Sequence, residues 1–362
     1  MNPSSLPSAS SAPSAVNWLS VVLLSLGLLI PAIDLLLPTT VKFASLVPAI
    51  MVYAIIGLGL NLITGFTGLF NLGSAAFMAI GAYTFAILTC PIYPFQIGFF
   101  PGLLAATAVG GIAGLLLSLP VMRLRGDYVA IVTLGFGEII QDVLKNLDAV
   151  TKGTQGLNPV AVPALPGVNF ADGNYLPWYY LYLVLLIGAV WLCHNLRYSR
   201  LGRSWVAVRE DELAARSMGL PTPRIKQIAF ALGSALCATG GAMFASLAGT
   251  SIEPGFYDFQ QSVIILCIVI VGGMGNITGV LLGACIMVGF NSIVLTKLTE
   301  MMSRNGWTGD NVLASPGNWK FMLYGVALIL MMRLRPEGLL PAKDVQAELH
   351  HGDAQKPPQG AH

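Results

Sequence analysis

Long apolar blocks separated by short polar segments dominate this chain. The hydrocarbon core of a bilayer is about 30 Å thick, so one helical crossing needs about 20 consecutive apolar residues. The pattern therefore predicts an all-α, polytopic membrane protein with about ten transmembrane helices. The blocks cover residues 18–37, 43–64, 71–90, 98–122, 127–148, 176–194, 227–249, 259–275, 279–298 and 318–334.

The composition agrees with this class. Apolar residues make up 55% of the chain and charged residues 10%, against about 25% charged residues in a soluble domain. A net charge of +2 gives no reason to expect a nucleic-acid partner. The cysteines stand singly, without the spacing of a disulfide framework or a metal site, so we expect no bound metal.

Both ends of the chain differ from the apolar middle. Residues 1–16 are rich in Ser and Pro and lack the basic region of a secretory signal. We expect them to form a disordered tail. Residues 343–362 are predicted to form a polar cytoplasmic tail, disordered from about Glu348 onward. The membrane domain is then predicted to span residues 17–342.

One stretch, residues 195–227, is unusually charged for this chain, and we call it the charged island. Glu210, Asp211 and Glu212 interrupt its basic residues, and the run 212–219 is predicted to form a short helix. Of the 19 Lys and Arg in the chain, the island contains Arg197, Arg200, Arg203, Arg209, Arg216, Arg224 and Lys226.

The positions of Lys and Arg also predict the orientation. If the charged island is cytoplasmic and ten helices alternate across the bilayer, most Lys and Arg of the connecting segments fall on the cytoplasmic side. This is the bias found in membrane proteins, and it predicts that both termini are cytoplasmic.

Two apolar regions are interrupted by Gly and Asn, one between the second and third blocks and one between the eighth and ninth. Paired interruptions in two halves of a chain indicate a transport pathway and an inverted repeat. The alternative is close helix packing through small residues, and the two are compatible. The residues are Asn61, Gly65, Gly68, Asn71 and Gly73 in the first region, and Gly272, Gly273 and Gly275 in the second.

The first of these regions, GLNLITGFTGLFNLGSAAFMAIGAY at 59–83, resembles the signature of permease subunits of ABC importers for branched-chain amino acids. Four further stretches resemble landmarks of that family in the same order, so the resemblance covers about residues 45–342. It is closer to the longer of the two paired permeases. The four stretches are RGDYVAIVTLGFGEI at 125–139, TKGTQGL at 151–157, GGMG at 272–275 and RPEGLL at 335–340.

Three positions depart from the family pattern. Ser74 stands where a His is common, Lys152 where a second Gly is frequent, and Val280 where a Pro is usual. They fall in regions expected near the pathway or outside the membrane. The departures therefore bear on which substrate is carried and leave the family resemblance intact.

The resemblance implies a role for the charged island. In ABC importers a short cytoplasmic permease helix sits in a groove of an ATPase subunit, and its usual motif is Glu-Ala-Ala, three residues, then Gly. Here Leu213 occupies the Glu position, and Glu212 stands one residue early. The implied ATPase-coupling residues are Arg209, Glu212, Ala214, Ala215 and Gly219.

Physical reasoning supports a helix at this place. Small Ala side chains permit close approach, Gly219 allows a left-handed helix end, and Asp211 is suited to cap the helix start. Flanking Arg residues can pair with acidic groups of a partner. The alternative is a positively charged cytoplasmic loop that docks nothing.

Glu138 and Asp142 are the ionisable residues expected deepest in the bilayer. Glu138 lies eleven residues after Asp127, about 16 Å along a helix, and a carboxylate at the midplane costs at least ~2.5–3.5 kcal/mol. It must therefore face protein or water. We favour a structural residue, protonated or hydrogen-bonded between helices, over one that lines the pathway.

Sequence motifs of enzymes are missing. No Lys follows a Gly, so there is no phosphate-binding loop, and there is no nucleophile elbow or paired Cys. We expect a transporter subunit that binds no cofactor, with ATP bound by its partners.

The resemblance implies an importer permease for leucine, isoleucine and valine in a bacterial inner membrane. Its implied partners are a second permease subunit, two ATPase subunits and a periplasmic substrate-binding protein. Related permeases for urea or short-chain amides are the nearest alternative. An ion-coupled secondary transporter, with Glu138 and Asp142 as its acidic residues, and a membrane scaffold without transport are more distant ones.

Overall fold

The computed structural model describes residues 46–94, 96–122, 124, 128–163, 170, 175–251, 253–304, 319–335 and 338–340. Over these ranges the chain is helical and forms no β-strand. The predicted first block, 18–37, and the two predicted tails, 1–16 and 343–362, lie outside the described residues.

Each apolar block from 43–64 onward coincides with a helix. In chain order the helices are α1 (Val47–Leu60), α2 (Ser74–Thr89), α3 (Phe99–Val121), α4 (Tyr128–Asn146), α5 (Asp148–Thr151), α6 (Tyr175–Tyr198), α7 (Arg200–Glu210), α8 (Glu212–Ser217), α9 (Thr222–Ala248), α10 (Phe259–Gly272), α11 (Ile277–Gly289), α12 (Thr296–Arg304) and α13 (Lys320–Leu334). Wider π-helical turns follow α1 at Asn61–Gly65 and α11 at Phe290–Leu295.

Length and composition make this a multi-pass membrane protein. Among the described residues, five helical segments are long and apolar enough to cross a membrane. Shorter apolar helices cover Ser74–Thr89 and Phe259–Gly272. The five long segments are Val47–Gly65, Phe99–Val121, Tyr175–Tyr198, Thr222–Ala248 and Ile277–Met302. The figure of ten crossings stays a prediction.

Helix α9 lies at the centre and packs on α1, α2 and α3 through small residues. A methyl group added at Gly59 of α1 would come within 2.6 Å of the carbonyl oxygen of Gly233. One added at Gly81 of α2 would lie 2.0 Å from the carbonyl oxygen of Ala238. Such close backbone approach is the usual way that helices associate in membranes, where hydrophobicity alone does not drive them together.

The connecting segments meet at two opposite ends of the helices. At the end that contains α7 and α8, which we call the α7–α8 end, the Leu72 amide donates to the Thr133 hydroxyl at 3.0 Å. At the other end the Leu157 amide donates to the Ser251 hydroxyl at 2.7 Å. This grouping agrees with alternating helix directions. Which end is cytoplasmic, and with it the location of the termini, stays a prediction.

Candidate functional site

The charged island is almost entirely helical, which differs from the predicted loop with one short helix. Helix α6 continues to Tyr198, α9 already begins at Thr222, and α7 fills most of the remainder. The sequence reasoning missed α7. Its signal is the helical spacing of Leu201, Trp205 and Val208, of which the latter two are buried.

Trp205 anchors α7 to the membrane helices. Its side chain is fully buried, and its indole N–H donates to the Ile225 carbonyl oxygen at 2.9 Å. The ring is stacked against Phe66, with 6.3 Å between centroids and 11° between planes. Because a buried Trp needs a partner for its N–H, these contacts fix both the depth and the direction of α7.

The basic residues of the island divide into an inward and an outward group. The guanidinium of Arg197 lies 5.9 Å from the centroid of the Phe66 ring, Arg209 donates to the Gly65 carbonyl oxygen at 2.6 Å, and Lys226 binds Glu212. The remaining four are exposed: Arg200, Arg203, Arg216 and Arg224. Arg209, one of the predicted ATPase-coupling residues, thus turns inward within this chain, and its coupling role stays a prediction.

Both ends of α8 are capped as the sequence predicts. The Asp211 carboxylate accepts from the amides of Leu213 at 2.8 Å and Ala214 at 3.0 Å. Gly219 has φ +83°, and the Leu220 amide donates to the Ala215 carbonyl oxygen at 3.1 Å. This is the helix end that a glycine in the left-handed conformation permits.

The two faces of α8 differ. Ala215 is buried against the rest of the chain, so it is a packing residue and not part of the exposed face. Leu213 and Met218 are 74% and 84% exposed, and Ala214 is also exposed. A cavity of about 280 Å³ lies beside them, lined by Asp211, Glu212, Leu213 and Arg216.

Glu212 fastens α8 to the start of α9. Its carboxylate lies 2.7 Å from the ammonium of Lys226, which is almost completely buried, and it accepts a longer bond of 3.4 Å from the Thr222 hydroxyl. Partial burial alone would raise the pKa of Glu212. The hydrogen bond and charge of Lys226 outweigh that effect and hold the pKa below its ordinary value.

The two interrupted regions meet beneath α7. The buried side-chain oxygen of Asn61, in the π-helical turn after α1, accepts from the amide of Gly275 at 2.8 Å. A methyl group at Gly65 would lie 2.0 Å from that oxygen and 2.6 Å from the Gly275 nitrogen. The contact between the two regions therefore requires a glycine at position 65. Sequence reasoning had paired the two regions only because their residue patterns are similar.

The other glycines of these regions act in different ways. Gly68 has φ +71°, and a methyl group there would touch the Arg209 side chain at 3.1 Å. One at Gly73 would lie 2.3 Å from the Thr133 carbonyl oxygen, and one at Gly272 would lie 2.2 Å from that of Gly279. Gly273 has φ +117°, which ends α10.

The first region also contains unusual buried polar groups. Asn71 accepts from the Gly73 amide at 2.9 Å, but its own amide group has no hydrogen-bond partner within the described part of the chain. The buried hydroxyls of Thr64 and Ser74 likewise have no hydrogen-bond partner among the described residues. Because such groups usually cost about 1–3 kcal/mol each, their concentration between residues 64 and 74 marks a segment shaped by more than packing.

Helix α4 presents its carboxylates away from the chain. Gln141 is buried and donates to the carbonyl oxygens of Pro254 at 3.2 Å and Gly255 at 3.3 Å. Glu138 and Asp142 are instead exposed, together with apolar neighbours such as Ile139. Within this chain no described helix covers the Glu138 side chain, and its favoured interpretation as a structural residue, protonated or hydrogen-bonded between helices, stays a prediction.

These features define a multi-pass helical membrane protein with a structured, basic helical segment at one end. Residues 43–332 match the family described as branched-chain amino acid transport system, permease component. The chain belongs to that family.

Curated relatives agree with this assignment. The chain is 37% identical over 325 residues to the high-affinity branched-chain amino acid transport system permease protein LivM of Salmonella typhimurium, covering 84% of this chain and 71% of the relative. It is 37% identical over 336 residues to LivM of Escherichia coli strain K12, covering 87% and 73%. It is also 24% identical over 311 residues to the permease protein LivH of Salmonella typhimurium, covering 81% and 92%. No solved structure matches the chain.

Proposed function

We propose that this chain is the transmembrane permease subunit of an ABC importer that carries leucine, isoleucine and valine into the cell. The family match over residues 43–332 and the LivM relatives support the substrate class. The protein itself performs no chemistry on the substrate. It provides a pathway whose access alternates between the two sides of a bacterial inner membrane.

The observation that carries the coupling part of the proposal is the exposed face of α8. Leu213 and Met218 are large apolar side chains exposed on a short helix that is capped at both ends. Together with the family match, these exposed apolar side chains support a contact with another protein. We assign it to the groove of an ATPase subunit, with ATP bound by two such subunits and by no residue of this chain.

A second permease subunit is the proposed neighbour of α4. The chain is similar both to LivM and, more weakly, to LivH, which are named as different permease proteins of one type of transport system. Glu138 is exposed near the middle of α4 and Asp142 is exposed about one turn before its end, and a carboxylate in lipid costs at least about 2.5–3.5 kcal/mol. We infer that this face borders the pathway between the two permeases.

The transport cycle follows from these assignments. A periplasmic binding protein delivers the amino acid to the outer end of the pathway, and ATP binding draws the ATPase subunits together. Their movement displaces α8 and shifts the permease pair between inward-facing and outward-facing states. The free energy of ATP binding is thus converted into a change in the relative stability of two conformations.

The test uses the complete complex in proteoliposomes, with radiolabelled leucine and its binding protein. Uptake is expected to require ATP and all subunits. Met218→Glu is expected to release the ATPase subunits during purification, whereas the matched control Met218→Leu is expected to retain them. Uptake that follows an ion gradient without ATPase subunits would contradict the ABC assignment, and uptake of urea or acetamide in place of leucine would contradict the substrate class.

A further inference from the structure

The Gly65 carbonyl oxygen is the point where the charged island touches an interrupted helix. Arg209 of α7 donates to it at 2.6 Å. This oxygen lies at the end of the π-helical turn after α1, where carbonyl groups lack helical partners and carry partial negative charge. A guanidinium stays charged at neutral pH, and a hydrogen bond from a charged donor is roughly twice as strong as one between neutral groups.

The surroundings of Arg209 are shaped to admit this contact. Its side-chain stem passes over Gly68, where an added methyl group would lie 3.1 Å from the Arg209 Cγ atom. Gly68 also has φ +71°, a conformation that side chains rarely adopt. The sequence thus supplies a long cation on α7 and a surface without a side chain beneath it.

The π-helical turn at Asn61–Gly65 also makes the contact between the two interrupted regions. Asn61, four residues before Gly65, accepts from the Gly275 amide at 2.8 Å. A displacement of the Gly65 carbonyl by α7 therefore acts directly on the turn that holds Gly275.

Helices α7 and α8 are fastened into one unit with the start of α9. Trp205 of α7 binds the Ile225 carbonyl oxygen, and Glu212 of α8 binds Lys226. Both contacts end on the first two turns of α9. A force applied at α8 therefore reaches α7 without first loosening the island.

We propose that Arg209 is the positioning residue that transmits movement of α7 and α8 to the interrupted helices at Gly65 and Gly275. The proposal rests on the assignment of α8 as the ATPase contact and adds the internal step that follows docking. Arg209 acts inside the permease and does not bind the ATPase. Its loss uncouples ATP hydrolysis from transport and leaves the complex assembled.

The test compares Arg209→Leu with Arg209→Lys and with Glu210→Gln, a charge change at the exposed neighbour. In the purified complex, hydrogen exchange of residues 61–73 and 271–276 is measured with and without trapped ATP, and leucine uptake is measured per assembled complex. Arg209→Leu is expected to retain the ATPase subunits, to lose the ATP-dependent change in exchange, and to reduce uptake about tenfold or more, as loss of one charge-assisted hydrogen bond would. Arg209→Lys keeps a charged donor and is expected to recover part of both signals, and Glu210→Gln is expected to behave as wild type.

Two results would overturn the proposal. One is an unchanged exchange response and uptake in Arg209→Leu, which would show that the contact transmits nothing. The other is loss of the ATPase subunits in Arg209→Leu or Arg209→Lys, which would make Arg209 a docking residue while leaving the ABC assignment in place. Failure of the α8 docking assignment is detected separately, by ATPase subunits that remain bound to Met218→Glu, and failure of the ABC assignment by leucine uptake that needs no ATPase subunits.

Discussion

The side-chain oxygen of Asn61 binds the backbone amide of Gly275 at 2.8 Å, although the two residues lie 214 positions apart. Each belongs to one of the two interrupted apolar regions. Both residues are buried, so the bond forms away from competing water, where it is strongest and its loss most costly. The interrupted region in one half of the chain is thus joined by this hydrogen bond to the interrupted region in the other half.

Gly65→Ala is expected to break this contact. Its methyl group would lie 2.0 Å from the Asn61 side-chain oxygen and 2.6 Å from the Gly275 nitrogen, so the two regions must separate. We expect a loss of about 1–3 kcal/mol in stability, typical of overpacking, and loss of leucine uptake. Thermal unfolding of the purified chain and uptake by the complex measure the two effects.

Gly188→Ala is the matched control, because a methyl group at this position of α6 would meet no atom within 4 Å. It is expected to leave stability and uptake unchanged. Wild-type uptake in Gly65→Ala would show that the contact between the interrupted regions is dispensable for transport.

Leu213→Glu is expected to weaken binding of the ATPase subunits, although Glu is the residue usual at this place in the family motif. Leu213 is 74% exposed, and we expect the partner's groove to match its apolar side chain. A buried carboxylate without a partner typically costs several kcal/mol. Co-purification of the ATPase subunits measures the effect, with Leu213→Met as the control that keeps the contact apolar.

Ile139→Cys, labelled at its thiol with a photoactivatable cross-linker, is expected to form a covalent link to the second permease. Ile139 is exposed beside Glu138 on α4, the face proposed to border the pathway. The exposed native Cys285 is first replaced by Ser. Val184→Cys is the control, because Val184 lies on an exposed apolar face of α6 that we expect to contact lipid. Cross-linking from Val184 and none from Ile139 would assign the interface to the wrong helix.

Glu138→Leu separates two surroundings of the carboxylate. If Glu138 borders a hydrated pathway, the substitution is expected to reduce leucine uptake while the chain still inserts and assembles. If Glu138 faced lipid, its charge would cost at least about 2.5–3.5 kcal/mol. The substitution would then stabilise the chain and leave uptake intact. Uptake per assembled complex and thermal stability, measured together, distinguish these results.

The ion pair that attaches α8 to the start of α9 is expected to respond to pH only at acidic pH. The pKa of Glu212 is lowered in the folded chain, from an ordinary value of about 4.3. Its ion pair with Lys226 therefore contributes fully above about pH 5 and is lost as the pH falls through the lowered value. A spin label attached through Ser217→Cys should become more mobile only as the pH falls below the ordinary range of a Glu carboxyl, and Glu212→Gln should remove that pH dependence.

Sequence patterns predicted much of the fold, because long continuous apolar runs decide where membrane helices form. Local chemistry also predicted the caps of α8 at Asp211 and Gly219, since each depends on residues within one turn. The family resemblance supplied the function, which no single residue of the chain indicates.

Long-range contacts could not be predicted in this way. The direction of Arg209 depends on the space above Gly68, and the exposure of Glu138 depends on which helices cover α4. Neither is encoded in local periodicity. The burial of Ala215 beside the exposed Ala214 likewise depends on how α8 is seated, and the motif alone had treated both residues as part of one contact surface.

The fastening of α8 by Asp211, Glu212 and Gly219 means that the surface we propose for ATPase docking is ordered within the permease alone. The conformational entropy of that helix is therefore spent during folding of the permease and not during assembly. A helix of six residues has little stability alone. A free peptide of residues 211–219 should accordingly compete very poorly with the intact permease for the ATPase, even though it would carry every exposed side chain of the contact.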